Sequence, residues 1–344
     1  MLKKVCILLW LVFGALAWIS CGGSDSDKAA KTKVGLAVDE AGIQDQTFNE
    51  VAWTGVQNAV SRLGVSGTYL VAGQPADYAN EIETFIKKGT DLIITVGFNM
   101  GDATAVEAGI HPENKFAIVD QAYDPPLKNV LGLTFAADQA AFLAGYLAAG
   151  ITRTGKVGTF GGMQLPSVTV FMDGFALGVK LYNQRHHTSV QTIGWDPDTQ
   201  TGLFTGDFVN VEGGRVMGRK LIDLGVDIIM PVAGAVGPGA AEVALETHRV
   251  YIVGVDLDWT LVFPEYAEIV LSSVLKDIDV AVYRAIEQVT TGAFVGGTYL
   301  GTLANDGVDL APFHQLDALV PRDLKLELDV VRAGIIAGTI KTRP

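Results

Sequence analysis

The chain has 344 residues, of which 49% are hydrophobic and 18% are charged, and its formal net charge is −13. An acidic surface repels phosphate backbones, and no cluster of lysine and arginine opposes it, so the composition argues against nucleic-acid binding. A core of this size normally divides between two domains.

The first 20 residues have the pattern of an export signal. Lys3 and Lys4 precede a run from Val5 to Ser20 that contains no charge. A cationic start followed by an apolar stretch is typical of a secretory signal peptide. The run is shorter than the about 20 apolar residues that a transmembrane helix needs. We therefore expect residues 1–20 to be removed and the folded part to lie outside the cytoplasm.

Cys21 directly follows Ile19-Ser20, and this arrangement resembles a bacterial lipobox, in which the cysteine is acylated and begins the mature chain. Residues 21–32 are mostly small and polar, which suits a tether between a lipid anchor and a folded domain. Trp18 stands where lipoboxes usually carry leucine, so a plain secretory signal cut near Cys21 is the alternative. Because Cys6 lies inside the signal, no intramolecular disulfide is expected in the mature chain.

From Lys33 onward, short apolar strands alternate with amphipathic helices, a pattern typical of parallel sheets covered on both faces. The predicted strands are Val34–Val38, Tyr69–Ala72, Leu92–Val96, Phe116–Val119, Val130–Thr134, Lys156–Thr159, Val190–Ile193, Asp227–Met230, Tyr251–Val255 and short strands between Thr298 and Leu310. The predicted helices include Phe48–Leu63, Ala136–Ala149, Val168–Leu181, Val216–Leu224 and Lys276–Val289. Because the pattern restarts after Thr134, we predict two consecutive open α/β sheets.

Polar residues and glycines accumulate directly after the predicted strands. They are Asp39, Gly97-Phe98-Asn99, Asp120, Gly161-Gly162, the loop from Gly234 to Gly239, and Asp256-Leu257-Asp258-Trp259. Ligands of open parallel sheets bind beyond the carboxyl ends of the strands. A single residue of this kind is equally compatible with a helix cap or a turn. Their number favours a cleft between the two sheets.

The segment from Asp39 to Glu50 is the densest in polar groups. Thr47 and Glu50 have the spacing of a capping box, and Phe48 falls in the first turn of the predicted helix. In one interpretation, Asp39 accepts hydrogen bonds from a ligand and the Phe48 ring stacks on it. In the other, the segment is a capped helix with a core phenylalanine. The spacing alone favours neither.

Several motifs recur in the order of one known family. The most specific is Val34-Gly-Leu-Ala-Val-Asp39 with Asp45-Gln-Thr-Phe-Asn49 and Ala52-Trp53-Thr-Gly55. Further matches are Val96-Gly-Phe98, Phe116-Ala-Ile-Val-Asp120-Gln121, Phe142-Leu-Ala-Gly145, the segment from Gly155 to Met163, Ala233-Gly234, Gly254-Val-Asp256-Leu-Asp258 and Ser272-Ser-Val-Leu-Lys276. Together they resemble the basic membrane protein (Bmp) family, substrate-binding lipoproteins of ABC importers whose best-known members are purine nucleoside receptors.

This resemblance implies a type I periplasmic-binding-protein fold, an α/β architecture in which two Rossmann-like lobes with parallel sheets are joined by a three-stranded hinge. The N-terminal lobe would comprise residues 33–135 plus 259–296. The C-terminal lobe would comprise residues 136–258 plus 297–344. A ligand would be clamped between the lobes.

The resemblance also implies roles for individual residues. Asp39 and Phe48 would hold and stack a purine, and a second group would hold the ribose hydroxyls: Asp120, Gly234, Asp256 and Lys276. Carboxylate acceptors and one ammonium donor match vicinal hydroxyls, although Lys276 and Asp256 alone would also suit an interlobe ion pair. The predicted ligand-binding set is completed by Asn49, Phe98, Asn99, Met230 and Asp258.

The chain departs from the family pattern at two places. Met230 aligns with the second stacking aromatic residue of the nucleoside receptors, and a thioether packs on a purine face less specifically than a ring does. Phe204, Phe208 and Trp259 are alternative rings, although ordinary packing is the more usual role of each. The loop after Met230 reads Ala233-Gly234-Ala235-Val236-Gly237, where the family favours Gly-Gly-Thr-Gly. Asn99 and the stretch from Trp195 to Asn210 also differ from a typical nucleoside receptor.

The function predicted from these features is capture of a small ligand, a purine nucleoside, and its delivery to an ABC permease. We expect a monomeric receptor without catalytic residues, cofactor or metal. Three alternatives remain: a receptor for a sugar or signalling molecule, a nucleoside hydrolase acting through paired carboxylates, and a transcriptional regulator with the same fold. The regulator would need a helix-turn-helix where this chain carries its signal sequence.

Overall fold

Strands and helices alternate through residues 31–344, the part of the chain that the computed structural model describes. The strands are β1 Lys33–Val38, β2 Ser66–Val71, β3 Leu92–Val96, β4 Lys115–Val119, β5 Val130–Phe135, β6 Lys156–Gly161, β7 Gln191–Ile193, β8 Trp195–Asp196, β9 Thr201–Gly202, β10 Ile228–Val232, β11 Tyr251–Asp256, β12 Val270–Lys276, β13 Gly297–Gly301 and β14 Val308–Leu310. The helices are α1 Phe48–Leu63, α2 Tyr78–Lys87, α3 Gly101–Ile110, α4 Ala137–Ile151, α5 Pro166–His186, α6 Val211–Asp223, α7 Gly237–Thr247, α8 Trp259–Val262, α9 Ile278–Thr290 and α10 Arg322–Ile336.

The predicted signal and Cys21 lie outside the described residues, as does most of the predicted tether. Within residues 31–344, no helix is both long enough and apolar enough to cross a membrane.

The first sheet has the strand order β13-β5-β4-β3-β1-β2, and all of its pairs are parallel. Helices α1 and α9 pack together on one face, and α2 and α3 pack together on the other. Because both faces are covered, the central strands β1, β3 and β4 are almost completely buried, which explains their continuous apolar runs. We call this sheet and its helices the first lobe.

The second sheet has the order β14-β12-β11-β10-β6-β7, and only the edge strand β14 is antiparallel. Helices α4 to α8 and α10 pack around it, and together they form the second lobe. The short hairpin of β8 and β9 leaves this sheet after β7. The predicted pair of parallel α/β sheets is thus confirmed, and helix α1 has the predicted bounds.

The predicted helix from Lys276 is wrong at its start. Residues Val270–Lys276 form the buried strand β12, so Lys276 lies at a strand end and the helix begins at Ile278. Two buried serines interrupt the apolar pattern that normally marks such a strand. The Ser272 hydroxyl donates to the Ala311 carbonyl over 2.7 Å, and the Ser273 hydroxyl accepts the Trp259 N–H over 3.1 Å. These bonds make burial of the serines acceptable.

The chain passes between the two sheets three times, and we call the three connections the hinge. They follow β5 at Ala136, β12 at Asp277 and β13 at residues 302–307. The Ala136 N–H donates to the Gly301 carbonyl over 2.7 Å, and the Asp277 N–H donates to the Gly307 carbonyl over 3.1 Å. The crossings are therefore bonded to one another as a unit.

The strand pairing does not place the lobe boundaries at residues 259 and 297, where the sequence analysis predicts them. Strand β12 pairs with β11 in the second sheet, and β13 pairs with β5 in the first. The chain therefore returns to the first lobe with α9 and leaves it after β13. The order of hydrophobic segments does not encode this exchange, because every central strand has the same apolar character.

Helices α4 and α5 approach each other closely at glycines. A Cβ atom on Gly145 would lie 2.0 Å from the Phe175 carbonyl oxygen, and one on Gly178 would lie 2.0 Å from the Phe142 carbonyl oxygen. Real side chains do not tolerate such distances, so the two helices can pack this closely only because both positions are glycine.

We expect Gly145→Ala to destabilise the protein by about 1–3 kcal/mol, because the added methyl group must force α4 away from α5. The matched control is Gly109→Ala in α3, where a Cβ would meet no atom within 4 Å. It should be neutral or slightly stabilising, since alanine favours a helix. Urea unfolding of both variants tests this, and equal stabilities would contradict it.

Candidate functional site

A cleft lies between the lobes at the carboxyl ends of the strands, with about 720 Å³ of atom-free space that is partly open to solvent. Of the predicted ligand-binding residues, the cleft is lined by Asp39, Phe48, Asn49, Phe98, Asn99, Asp120, Gly234, Asp256 and Lys276. These side chains come from distant parts of the chain, and the fold brings them together as the strand-end rule predicts.

Asp39 and Asn49 form a polar pair in the wall of the cleft. The Asn49 amide donates to Asp39 Oδ1 over 2.7 Å, and the Ala41 N–H donates to the same oxygen over 3.2 Å. Burial raises the pKa of Asp39, and these two hydrogen bonds partly offset that rise. Asn49 is only 1% exposed, and its Oδ1 has no hydrogen-bond partner among residues 31–344. Such an unpaired buried acceptor is a feature to be explained.

The predicted capping box of Thr47 and Glu50 does not form, because Asp45 caps α1 instead. Asp45 Oδ1 accepts the N–H groups of Thr47 over 3.1 Å and Glu50 over 3.0 Å, and its Oδ2 accepts the Asn49 N–H over 3.0 Å. This cap fixes the first turn of α1, from which Phe48 and Asn49 reach the cleft. The segment is therefore both a helix cap and part of the cleft wall.

Lys276 joins the two lobes within the same cleft. Its ammonium donates to Asp120 Oδ2 of the first lobe over 2.7 Å and lies 3.5 Å from Asp256 Oδ1 of the second. Burial by itself would lower the pKa of Lys276, but the charges of Asp120 and Asp256 raise it overall. Burial raises the pKa of Asp256, and Lys276 only partly opposes this. Asp256 lies in the same sheet as Lys276, so the ion pair between the lobes is the one of Lys276 with Asp120.

The same ammonium lies over aromatic rings. It is 4.9 Å from the centroid of the Phe48 ring and 5.5 Å from that of Phe171, and both residues line the cleft. Cation–π attraction adds to the ion pairing at such distances.

Asp120 and Asp256 occupy equivalent places in the two lobes, each at the carboxyl end of a central strand. Both have left-handed backbones, with φ of 64° and 67°. Non-glycine residues adopt this conformation rarely, and strained positions of this kind cluster at functional sites. Both carboxylates lie beside the Lys276 ammonium.

Two predicted residues lie outside the cleft. Met230 is fully buried within β10, two residues before the cleft-lining Val232, so it sits about 7 Å below the strand end. Asp258 caps the short helix α8 by accepting the Thr260 N–H over 3.1 Å, and its other oxygen lies 2.6 Å from His314 Nε2. Both positions correct the prediction.

Several lining residues were missed by the sequence analysis, among them Tyr78, Leu165, Ser167, Val168 and Phe171. In the sequence, these residues look like ordinary core or helix residues. No local pattern distinguishes a helix end that faces a cleft from one that does not. Phe208 also lines the cleft, and it was one of the alternative rings considered for Met230.

The model of the family described as "ABC transporter substrate-binding protein PnrA-like" (Bmp) matches residues 31–340. The chain belongs to this family. The Bmp resemblance seen in the motifs is therefore confirmed. The family consists of substrate-binding proteins of ABC transporters, which bind small-molecule ligands outside the cytoplasm and are not a class of enzymes.

Individual relatives agree with this Bmp assignment. Basic membrane protein A of Borreliella burgdorferi is 31% identical, with 96% of this chain and 93% of the relative covered. The protein named ABC transporter nucleoside-binding protein BmpA of Lactococcus lactis is 28% identical, with 91% of each chain covered. Among solved structures, an ABC transporter solute-binding protein from Aeropyrum pernix is similar with a TM-score of 0.81, 26% identity and coverage of 90% and 92%. The predicted periplasmic-binding-protein fold is confirmed.

We expect Lys276→Met to destabilise the Bmp protein by about 3–5 kcal/mol at pH 8, because two buried carboxylates lose their cation. This loss of stability should become smaller toward pH 5. Asp256, whose pKa is already raised, then takes up a proton in the folded state, so less uncompensated charge stays buried. The wild-type contribution of Lys276 stays constant over this range, because its raised pKa lies far above it. Thermal unfolding at both pH values measures the difference.

Lys325→Met is the matched control, because Lys325 pairs with Asp317 over 2.7 Å at the surface. A surface pair contributes at most about 1 kcal/mol. A Lys276 variant that resembled this control at pH 8 would contradict the stabilising role of the buried cation.

Proposed function

We propose that this Bmp-family protein captures a purine nucleoside in the interlobe cleft and delivers it to an ABC permease. The observation that carries the proposal is that one cleft combines aromatic rings and the Asp39–Asn49 pair with the charged Asp120–Lys276–Asp256 cluster. A nucleoside likewise combines a planar, hydrogen-bonding base with a hydroxylated sugar.

Asp39 and Asn49 would recognise a ring that donates a hydrogen bond. Leaving a buried acceptor such as Asn49 Oδ1 without a partner costs about 1–3 kcal/mol. A ring N–H, such as that of a 6-oxopurine, would satisfy this oxygen and lie beside the Asp39 carboxylate. The cost of the unpaired oxygen is then recovered when ligand binds.

The Asp120–Lys276–Asp256 cluster would hold the vicinal hydroxyls of ribose. Carboxylates of Asp120 and Asp256 accept hydroxyl protons, while the Lys276 ammonium donates to hydroxyl oxygens. Bonds in which one partner is charged are about twice as strong as neutral ones. Because Asp120 and Asp256 come from different lobes, hydroxyls bonded to both would favour the closed arrangement.

Phe48 and Phe208 would stack on the base from the two lobes. Phe208 takes the role that the sequence analysis had given to Met230, since Phe208 lines the cleft and Met230 does not. A ring offers a flat apolar face to a purine, whereas a buried thioether offers none.

Delivery would depend on hinge closure and on the anchor at Cys21. Closure orders the facing surfaces of both lobes, so a permease can distinguish the loaded receptor from the empty one. Acylation of Cys21 would keep the exported receptor close to its permease. The similarity to the Lactococcus lactis relative, which is named ABC transporter nucleoside-binding protein BmpA, supports the proposed ligand.

Titration calorimetry of the mature protein against guanosine, inosine, adenosine, uridine and ribose tests the proposal. We expect binding heat with purine nucleosides and none with ribose alone. Heat with ribose but not with nucleosides would indicate a sugar receptor instead. Release of free hypoxanthine from inosine during incubation would indicate a hydrolase and contradict the receptor function.

We expect Phe208→Ala to weaken purine nucleoside binding by about 5- to 150-fold, because a stacked base contributes about 1–3 kcal/mol. Met230→Leu is the control, since it conserves core volume away from the cleft and should leave the dissociation constant unchanged. Calorimetry on both variants gives the comparison. A larger loss from Met230→Leu than from Phe208→Ala would contradict the assignment.

A further inference from the structure

The segment from Gly194 to Asn210, which we call the cleft arm, carries Phe208 into the cleft. It leaves the second sheet after β7, forms the hairpin of β8 and β9, and returns along the end of β6. Two attachments and a close contact with a glycine hold this arm, and the role inferred from them rests on the proposed function only for the identity of the ligand.

The first attachment of the cleft arm is a buried carboxylate. Asp173 Oδ1 accepts the Trp195 indole N–H over 2.8 Å and the Gln200 amide over 2.9 Å. Asp173 lies on α5, the helix that also supplies Phe171 to the cleft. The base of the arm is therefore tied to the cleft wall.

The second attachment is a ladder of backbone hydrogen bonds to the end of β6. The Gly161 N–H donates to the Leu203 carbonyl over 2.9 Å. In return, the Thr205 N–H donates to the Gly161 carbonyl over 3.0 Å, and the Gly206 N–H donates to the Gly162 carbonyl over 2.8 Å. Phe208 follows two residues after the last of these bonds, so its backbone has little freedom.

The backbone that follows Phe208 is held by the side chain of Asp207. Asp207 Oδ1 accepts the N–H groups of Val209 over 2.9 Å and Asn210 over 2.7 Å, just before α6 begins. Phe208 is thus held on both sides by hydrogen bonds that involve no ligand.

The Phe208 ring lies directly on the backbone of Gly162. A Cβ on Gly162 would be 2.3 Å from Phe208 Cε1 and 2.8 Å from the Asp207 carbonyl oxygen. Neither Gly161 nor Gly162 is among the glycines with a positive φ, so their backbones would accept alanine. What the site requires at Gly162 is the absence of a side chain, because that space is occupied by the ring.

We propose that Gly162 is a positioning residue for ligand recognition, which sets the Phe208 ring at the depth where it forms one wall of a slot for a planar ring. The cleft arm then acts as a preformed specificity wall. A side chain at Gly162 would lift the ring and the Asp207 carbonyl together and change the width of the slot.

The test compares Gly162→Ala with Gly213→Ala. Gly213 lies in α6 beside the same arm, but a Cβ there would approach no atom closer than 3.4 Å, at Thr205. We expect Gly162→Ala to weaken inosine binding at least 5-fold and Gly213→Ala to leave it unchanged. Unchanged binding in Gly162→Ala, with wild-type protein binding inosine, would overturn the proposal.

A double-mutant cycle shows whether Gly162 acts through the ring. In a Phe208→Ala background, Gly162→Ala should cause no further loss, because the ring that it displaces is gone. Independent, multiplicative losses would mean that Gly162 affects binding through general structure, which contradicts a positioning role.

A ligand-free measurement separates this proposal from the proposed function. In a crystal structure of Gly162→Ala without ligand, the Phe208 ring should be displaced from its wild-type position, and the Gly206 amide should exchange its hydrogen faster in solution. A ring that kept its wild-type position would overturn the inference whatever the ligand. Absence of nucleoside binding by wild-type protein would instead overturn the proposed function, while the displaced ring would still support the role of Gly162.

Discussion

The contact of the Lys276 ammonium with the Asp120 carboxylate is the constraint on which the cleft depends. A buried ammonium without a partner would be very costly, so the fold must supply carboxylates to it. One comes from each lobe: Asp120 from the first and Asp256 from the second. Their ion pairing therefore requires a particular arrangement of the lobes across the hinge. The left-handed backbones of both aspartates are part of the cost of that arrangement.

This cluster also explains how one group of residues can serve stability and recognition. Lys276 has charged partners on two sides, while its ammonium faces the aromatic rings that line the cleft. In the proposed function, ribose hydroxyls would join a network that is already charged and desolvated. Hydrogen bonds made there are stronger than in water, because the surroundings screen them less.

The apolar part of the cleft depends on missing side chains. Helix α5 reaches its position against α4 because Gly145 and Gly178 allow backbone contact, and the cleft arm reaches its position because Gly162 leaves room for a ring. Such contacts join residues far apart in sequence. A glycine in the sequence therefore does not reveal which side chain will occupy the space beside it, and Phe208 was only one of several candidate rings.

The sequence by itself determined what local patterns encode. Strand-end carboxylates such as Asp39 and Asp120 follow from the alternation of apolar strands and helices, because parallel strands bring their carboxyl ends to one edge. The tertiary structure decided what depends on pairing and depth. Met230 lies in the core, two residues before the cleft-lining end of its strand, and Lys276 lies at the end of a serine-containing strand and not in the predicted helix. Phe208 lines the cleft. The physical reason is that alternation records only which residues are buried, whereas strand partners and packing distances are set by contacts between segments that the sequence separates.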